Sequence, residues 1–197
     1  MIPTLLLLVC LAVTMTPQHM LVVLGEGGYV LITFDAEGVE NDFTGAILVV
    51  DGVDYSISDL PYTFNWTEGS FHSYGWYSPI YGTYYTYTWQ NSTGLAENQT
   101  GSITATESGN VTAYYVKTQA HIRIKISGIP TQYEYLDYVL TVDEEEYTVQ
   151  DVGDGLDFWW DITTITSHII DYSESVRQAN SYRVYTFSHM DVITENQ

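Results

Sequence analysis

Apolar and polar residues alternate in short runs along most of the chain, with turn residues between the runs. Residues 29–34 (YVLITF), 45–50 (GAILVV), 53–57 (VDYSI), 62–66 (YTFNW), 71–76 (FHSYGW), 84–89 (YYTYTW), 101–105 (GSITA) and 110–116 (NVTAYYV) each predict a strand. A period of two filled by Val, Ile, Thr and aromatic residues marks half-buried strands. Asp51-Gly52 is a two-residue hairpin signal. Leu60-Pro61 interrupts a ladder, because proline has no N–H to donate. No amphipathic helical pattern exceeds about three turns. The pattern predicts an all-β protein of antiparallel sandwiches, with Phe64, Trp66, Trp89 and Ile103 between sheets. Alternate tyrosines of residues 84–87 are expected to face solvent, a sugar or another subunit.

The pattern then repeats. LVVD at 48–51 with Tyr55 matches LTVD at 140–143 with Tyr147, and Phe64-Asn65-Trp66 matches Phe158-Trp159-Trp160. SFH at 70–72 matches TSH at 166–168, YTYTW at 85–89 matches RVYTF at 183–187, and 29–34 matches 121–126. The offset drifts from 92 to 98 residues, as loop insertions produce. Two β-domains are predicted, 27–117 and 120–197. Phe64, Trp66 and Trp89 are the expected core aromatics of the first, and Phe158, Trp160 and Phe187 those of the second. The copies differ at their ends. After Trp89 the first copy has two more strands; after Phe187 the second has room for one short strand at most. A sandwich short of strands exposes groove walls and unpaired backbone groups. Either the second copy closes with fewer strands, or a strand reaches it from elsewhere.

Residues 1–25 carry no charged side chain. Leu5, Leu6, Leu7, Leu8, Val9, Cys10, Leu11, Ala12 and Val13 form an unbroken apolar run, and Leu21, Val22, Val23 and Leu24 a second. Three readings stay open. A signal peptide has the apolar core but lacks its basic residues and an Ala-x-Ala cleavage site. A membrane span needs about 20 apolar residues, and Pro17-Gln18-His19 interrupts the run. A retained strand of nine residues extends about 30 Å and suits burial on both faces. In that third reading, Leu5 to Leu8, Val9, Leu11, Val13 and residues 21–24 are donor-strand candidates.

Composition narrows the function classes. Lys plus Arg number 5 against 25 Asp plus Glu, a net charge of −20. Such a surface repels nucleic acid and anionic lipid. With 45% hydrophobic residues and 18 Tyr, the chain can still bury a core. Cys10 is the only cysteine, so no intramolecular disulfide forms. Asn65, Asn91, Asn98 and Asn110 each have Thr two positions on, four acceptor sequons for N-linked glycans within about 50 residues. They point to an extracytoplasmic, glycosylated protein, against the plainer reading that a Thr- and Asn-rich β-protein generates such triplets by chance.

Catalytic motifs are lacking: no His-Glu-x-x-His, Gly-x-Ser-x-Gly, phosphate loop or Cys/His cluster occurs. His19, His72, His121, His168 and His189 are scattered, and the recurrence of His72 at His168 is read as structural. No enzyme and no cofactor are expected. Asp143, Glu144, Glu145 and Glu146, with Asp151 and Asp154, have the oxygen donors for Ca2+, against the plainer reading of a solvated acidic hairpin.

The stretch LVVDGVDYSISDLPYTFNWTEGSFHSY at 48–74, with YTW at 87–89, Ser108-Gly109 and VTAYY at 111–115, resembles the Ig-like repeats of archaeal cell-surface proteins. The likeness covers about 29–116 and, more weakly, 121–187, where Asp143-Glu144 stands in place of Asp-Gly. The resemblance implies two Ig-like β-sandwich domains and a secreted, glycosylated spacer or assembly module without catalytic residues. One branch, the archaeal thread-type pili, joins subunits by donor-strand complementation. A filament subunit polymerising head-to-tail with itself, and a possible surface receptor for adhesion, are therefore expected. The alternative is a monomeric secreted adhesin, S-layer-associated module or carbohydrate-binding module using the 84–89 strand.

Overall fold

The computed structural model describes residues 27–188. The donor-strand candidates between Leu5 and Leu24 lie outside the described residues. The chain is all-β. Its first unit contains β1 (Tyr29–Glu37), β2 (Ala46–Val50), β3 (Val53–Ser56), β4 (Tyr62–Thr67), β5 (Phe71–Trp76), β6 (Ile80–Tyr81), β7 (Tyr85–Gly94), β8 (Thr100–Thr104) and β9 (Gly109–Ile124). One sheet runs β4-β1-β9-β7-β6 and the other β3-β2-β5-β8. Pairing is antiparallel throughout this unit except between β1 and β9, which is parallel.

Alternation builds the core between the sheets. Val30, Ile32 and Phe34 of β1 point inward, with Trp66, Tyr74, Trp76, Tyr87 and Tyr115 around them. Phe34 is fully buried, and its ring meets Phe64, Trp66, Tyr74 and Trp76 at centroid distances of 5.7–6.2 Å. Such aromatic pairs add about 0.5–1.5 kcal/mol beyond burial. Asp51 and Gly52 take φ of 50° and 79°, the two positive values that the tight β2–β3 turn requires.

β9 continues unbroken across the expected boundary at 117–120. Its last six residues open the second unit, which adds β10 (Leu140–Val142), β11 (Glu145–Tyr147), the single turn α1 (Val149–Val152), β12 (Leu156–Asp161), β13 (Ile170–Tyr172), β14 (Ser175–Arg177) and β15 (Val184–Thr186). The registers repeat those of the first unit. Ile32 faces Phe64 and Val30 faces Trp66; Ile122 faces Phe158 and Ala120 faces Trp160. Leu48 lies between Tyr55 and Trp76; Leu140 lies between Tyr147 and Tyr172. Ile80 faces Tyr87, and Val176 faces Tyr185. The strand equivalent to 29–34 is thus 119–124, two residues earlier than the sequence alignment places it. A shift of two keeps every side chain on its own face, so periodicity alone does not detect it.

Details recur as well. The backbone N–H and hydroxyl of Ser56 donate to Asp59 at 2.7 and 2.6 Å, and those of Thr148 donate to Asp151 at 2.8 and 2.6 Å. Asp51 bonds His72 Nδ1 at 2.6 Å, with the imidazole stacked 3.8 Å from Trp66. Asp143 bonds His168 Nδ1 at 2.6 Å, with the imidazole stacked 4.0 Å from Trp160.

Candidate functional site

In the first unit β9 fills the space between β1 and β7. Residues 109–114 run parallel to β1, from Ile32–Gly109 to Glu37–Tyr114, and 111–120 run antiparallel to β7. β8 closes the other sheet against β5. The second unit has the counterpart of β1, residues 119–124 with β12, and the counterpart of β7, which is β15. Among the described residues no strand lies between them: β14 and β15 form a separate two-stranded sheet. The β11-β10-β13 sheet likewise has no counterpart of β8 among the described residues. The result is an open slot, with no strand paired to the far edge of residues 122–124 or to the edge of β15 away from β14 among the described residues.

Its first wall is the far edge of β9. The His121 N–H donates to the Tyr84 carbonyl at 2.7 Å, and beyond it that edge makes no further strand pairing among the described residues. Ile122, Ile124 and Ile126 alternate along this wall. Ile32 and Phe34 are fully buried, yet their counterparts Ile122 and Ile124 are only half-buried. The floor is a small cluster of Val139, Leu140, Val142, Val149, Val152 and Val176. On the far side, Val184 is 57% exposed where its counterpart Thr86 is 4% exposed. Ile162, Ile165 and Ile169 lie exposed on the β12–β13 loop, where β8 would cover the equivalent turn. In the first unit Ala105, just after β8, exchanges backbone bonds with Gly69 and Ser70.

The expected core aromatics divide accordingly. Trp66 is buried, and Phe64, Trp89, Phe158 and Trp160 are half-buried against their clusters. Phe187 departs from the expectation of a core residue. It is 39% exposed and stacks on Tyr172 at 3.7 Å, because no strand covers it among the described residues. The tyrosine strand also differs. Tyr87 is buried, with its hydroxyl on Asp42; this bond and burial raise its pKa, burial being the larger cause. Tyr85 lies half-buried under Lys117 Nζ at 3.8 Å, and the Trp89 indole N–H donates to the Ser92 hydroxyl at 3.0 Å. These rings turn inward rather than forming a platform.

Charged groups secure the turns around the slot. Arg177 holds Asp137 through bonds of 2.5–3.2 Å, drawing the Asp137 carboxyl down to about 2. The His168 hydrogen bond lowers Asp143, as the His72 bond lowers Asp51. One arrangement resembles a catalytic line: Ser70 Oγ lies 2.8 Å from His72 Nε2, and His72 Nδ1 lies 2.6 Å from Asp51. However, the Ser70 hydroxyl donates to the Thr67 carbonyl at 2.6 Å, so its proton is not directed to the imidazole. At the equivalent place Thr166 donates to the Asp161 carbonyl instead. The shared role of both histidines is to hold the hairpin Asp to the next strand: Asp51 accepts the Ser73 N–H and Asp143 the Ile169 N–H.

Asp143 and Asp151 are engaged by His168 and Thr148, and among the described residues no three His, Cys, Asp or Glu side chains converge as a metal site. The Ca2+ reading has no geometric support. Asn65, Asn91, Asn98 and Asn110 are all exposed, the third on the β7–β8 loop and the others on strands. Among the described residues no helix is long and apolar enough to cross a membrane. Comparison with protein-family models, curated proteins and solved structures finds no match.

Proposed function

We propose that this chain is a structural subunit of an extracellular, glycosylated surface filament. It is built from two Ig-like sandwich units and polymerises by strand donation. The observation that carries the reading is the open slot between residues 122–126 and β15. The occupant is the apolar N-terminal segment of another copy. An incoming strand there pairs parallel to β9 and antiparallel to β15, as residues 109–117 do in the first unit. Leu5, Leu7, Val9, Leu11 and Val13 lie on one face of such a strand and meet the apolar floor. Nine residues reach about 30 Å, enough to follow both walls. Backbone bonds supply continuity, and alternate side chains fill the groove. The donor segment precedes the first unit in sequence and the acceptor slot belongs to the second, so the contact between copies is head-to-tail and extends without closing. The resemblance to archaeal surface repeats supports the extracellular and archaeal parts of the reading.

The test is electron microscopy of native material with intact mass of the same sample, beside a chain lacking residues 1–25. Uniform fibres of subunits that retain the segment, and none from the shortened chain, are expected. Fibres from the shortened chain would sink strand donation. Single particles beginning near Met20 would favour a monomeric secreted adhesin or surface-layer module, for which the fully closed first unit is adequate.

A further inference from the structure

We infer that one face of the first unit, the outer side of β4-β1-β9-β7, is a glycan-bearing face with three asparagine-linked oligosaccharides. The registers place the three acceptors together. Asn65 lies opposite Leu31, Asn110 opposite Thr33, and Asn91 opposite Tyr114. Their next neighbours in sequence, Trp66, Val111 and Ser92, are buried, so by strand alternation the three amides point away from the core. Strand spacing and rise set the acceptors about 12–14 Å apart along adjacent pairs. Asn98 sits off this face, on the β7–β8 loop.

A second observation concerns charge. The chain carries 25 acidic residues, yet along β1 this face has only Asp35, opposite Thr112, and Glu37, opposite Tyr114, beside Leu31, Thr33, Thr63, Thr93, Thr112 and Tyr114. Such a sparsely charged surface invites association when bare. Leu31, 52% exposed, stands directly across from Asn65, and half-buried Tyr114 from Asn91. The first sugar on each amide covers these apolar groups. The attachment joins the asparagine Nδ2 to the anomeric carbon of a glycosyl phosphate donor. The anomeric C–O bond to phosphate breaks, and the phosphate leaves while the amide loses one proton. The face then repels neighbours, leaving the β3-β2-β5-β8 side and the two ends for protein contacts.

The inference rests on the extracellular part of the proposed function, for its glycosyl donor, and not on strand donation. Site-resolved glycopeptide mass spectrometry of the native full chain tests it. Asn65, Asn91 and Asn110 are expected to be occupied in most copies. Two of the three found unmodified would overturn the inference, whether or not the chain forms fibres. Three occupied sites on a purely monomeric protein would leave it standing and remove the filament reading. A triple Asn→Gln variant is expected to keep the first unit's melting temperature within a few degrees but to self-associate, read by light scattering. A variant as dispersed as the sugar-free wild type made in a host without N-glycosylation, with both as dispersed as native protein, would refute the shielding role.

Discussion

The two units share one local grammar and differ in closure. Each has an Asp-led hairpin, a Ser/Thr–Asp turn box, a Phe–x–Trp strand and a histidine stacked on that Trp. The first surrounds these with fully buried Ile32, Phe34 and Trp76; the second surrounds them with half-buried Ile122 and Ile124 and exposed Tyr172. Local motifs therefore define the hairpins, but a complete sheet order is needed to exclude water. Burial, not motif content, separates a self-sufficient unit from one that presents a slot.

The largest effect tests this directly. Phe34→Ala should destabilise the first unit by about 3–5 kcal/mol, the usual range for a buried aromatic. Ile124→Ala, at the equivalent place, should change the free subunit by only about 1 kcal/mol. In assembled material, with the slot filled, its effect should rise to about 2–5 kcal/mol. Denaturant titrations of both variants, free and assembled, provide the comparison. Equal losses in the free subunits would mean that the slot is already filled within one chain.

Next comes closing the second unit on purpose. Residues 4–24 moved behind residue 197 through a flexible Gly-Ser linker should enter the chain's own slot. At an effective concentration about 100-fold above the dissociation constant, the gain is about 2.7 kcal/mol. The second unit should melt higher, the first should be unchanged, and polymerisation should cease. Continued growth of fibres would show that the segment does not recognise this slot.

Acid should separate the units more mildly. Hydrogen bonds depress Asp51 and Asp59 in the first unit, and Asp137, Asp143, Asp151 and Asp161 in the second. A carboxyl depressed on folding stabilises the native state above its unfolded value, here 3.8, and loses that contribution as pH falls through its folded value. The second unit, with more such groups and a smaller core, should therefore unfold first between about pH 4 and 2. The Asp137–Arg177 pair should be the last to release, near its value of about 2. Tryptophan fluorescence with Trp76→Phe and Trp160→Phe reporters resolves the order; loss of the first unit first would contradict it.

Much of this is legible in the chain itself. The strand runs, the hairpin Asp and the repeat follow from period-two patterning and turn chemistry. Residues 110–127 contain no Gly or Pro, a signal that β9 continues through the expected boundary. The two-residue misalignment of 121–126 was invisible because it preserves facing. Phe187 looked like a core residue because its pattern matches Trp89; its exposure depends on a neighbouring strand that no local window reports. The Asp–His clamps join positions 21 and 25 residues apart, and only strand order brings them together.

The smallest effect isolates one backbone angle. Gly52 has φ of +79°, and a Cβ built on it meets nothing within 4 Å. Gly52→Ala should therefore destabilise the first hairpin by about 1 kcal/mol, purely from the left-handed conformation. Glu144 occupies the equivalent corner at φ +72°, so the second hairpin already carries that strain. Glu144→Gly should return about 0.5–1 kcal/mol and relieve some acidic crowding beside Glu145 and Glu146. Opposite signs at the two corners, measured by denaturant midpoint, would show that the hairpins are equivalent and that the units differ only in what covers them. A loss on Glu144→Gly would instead assign that side chain a stabilising contact absent from the first unit.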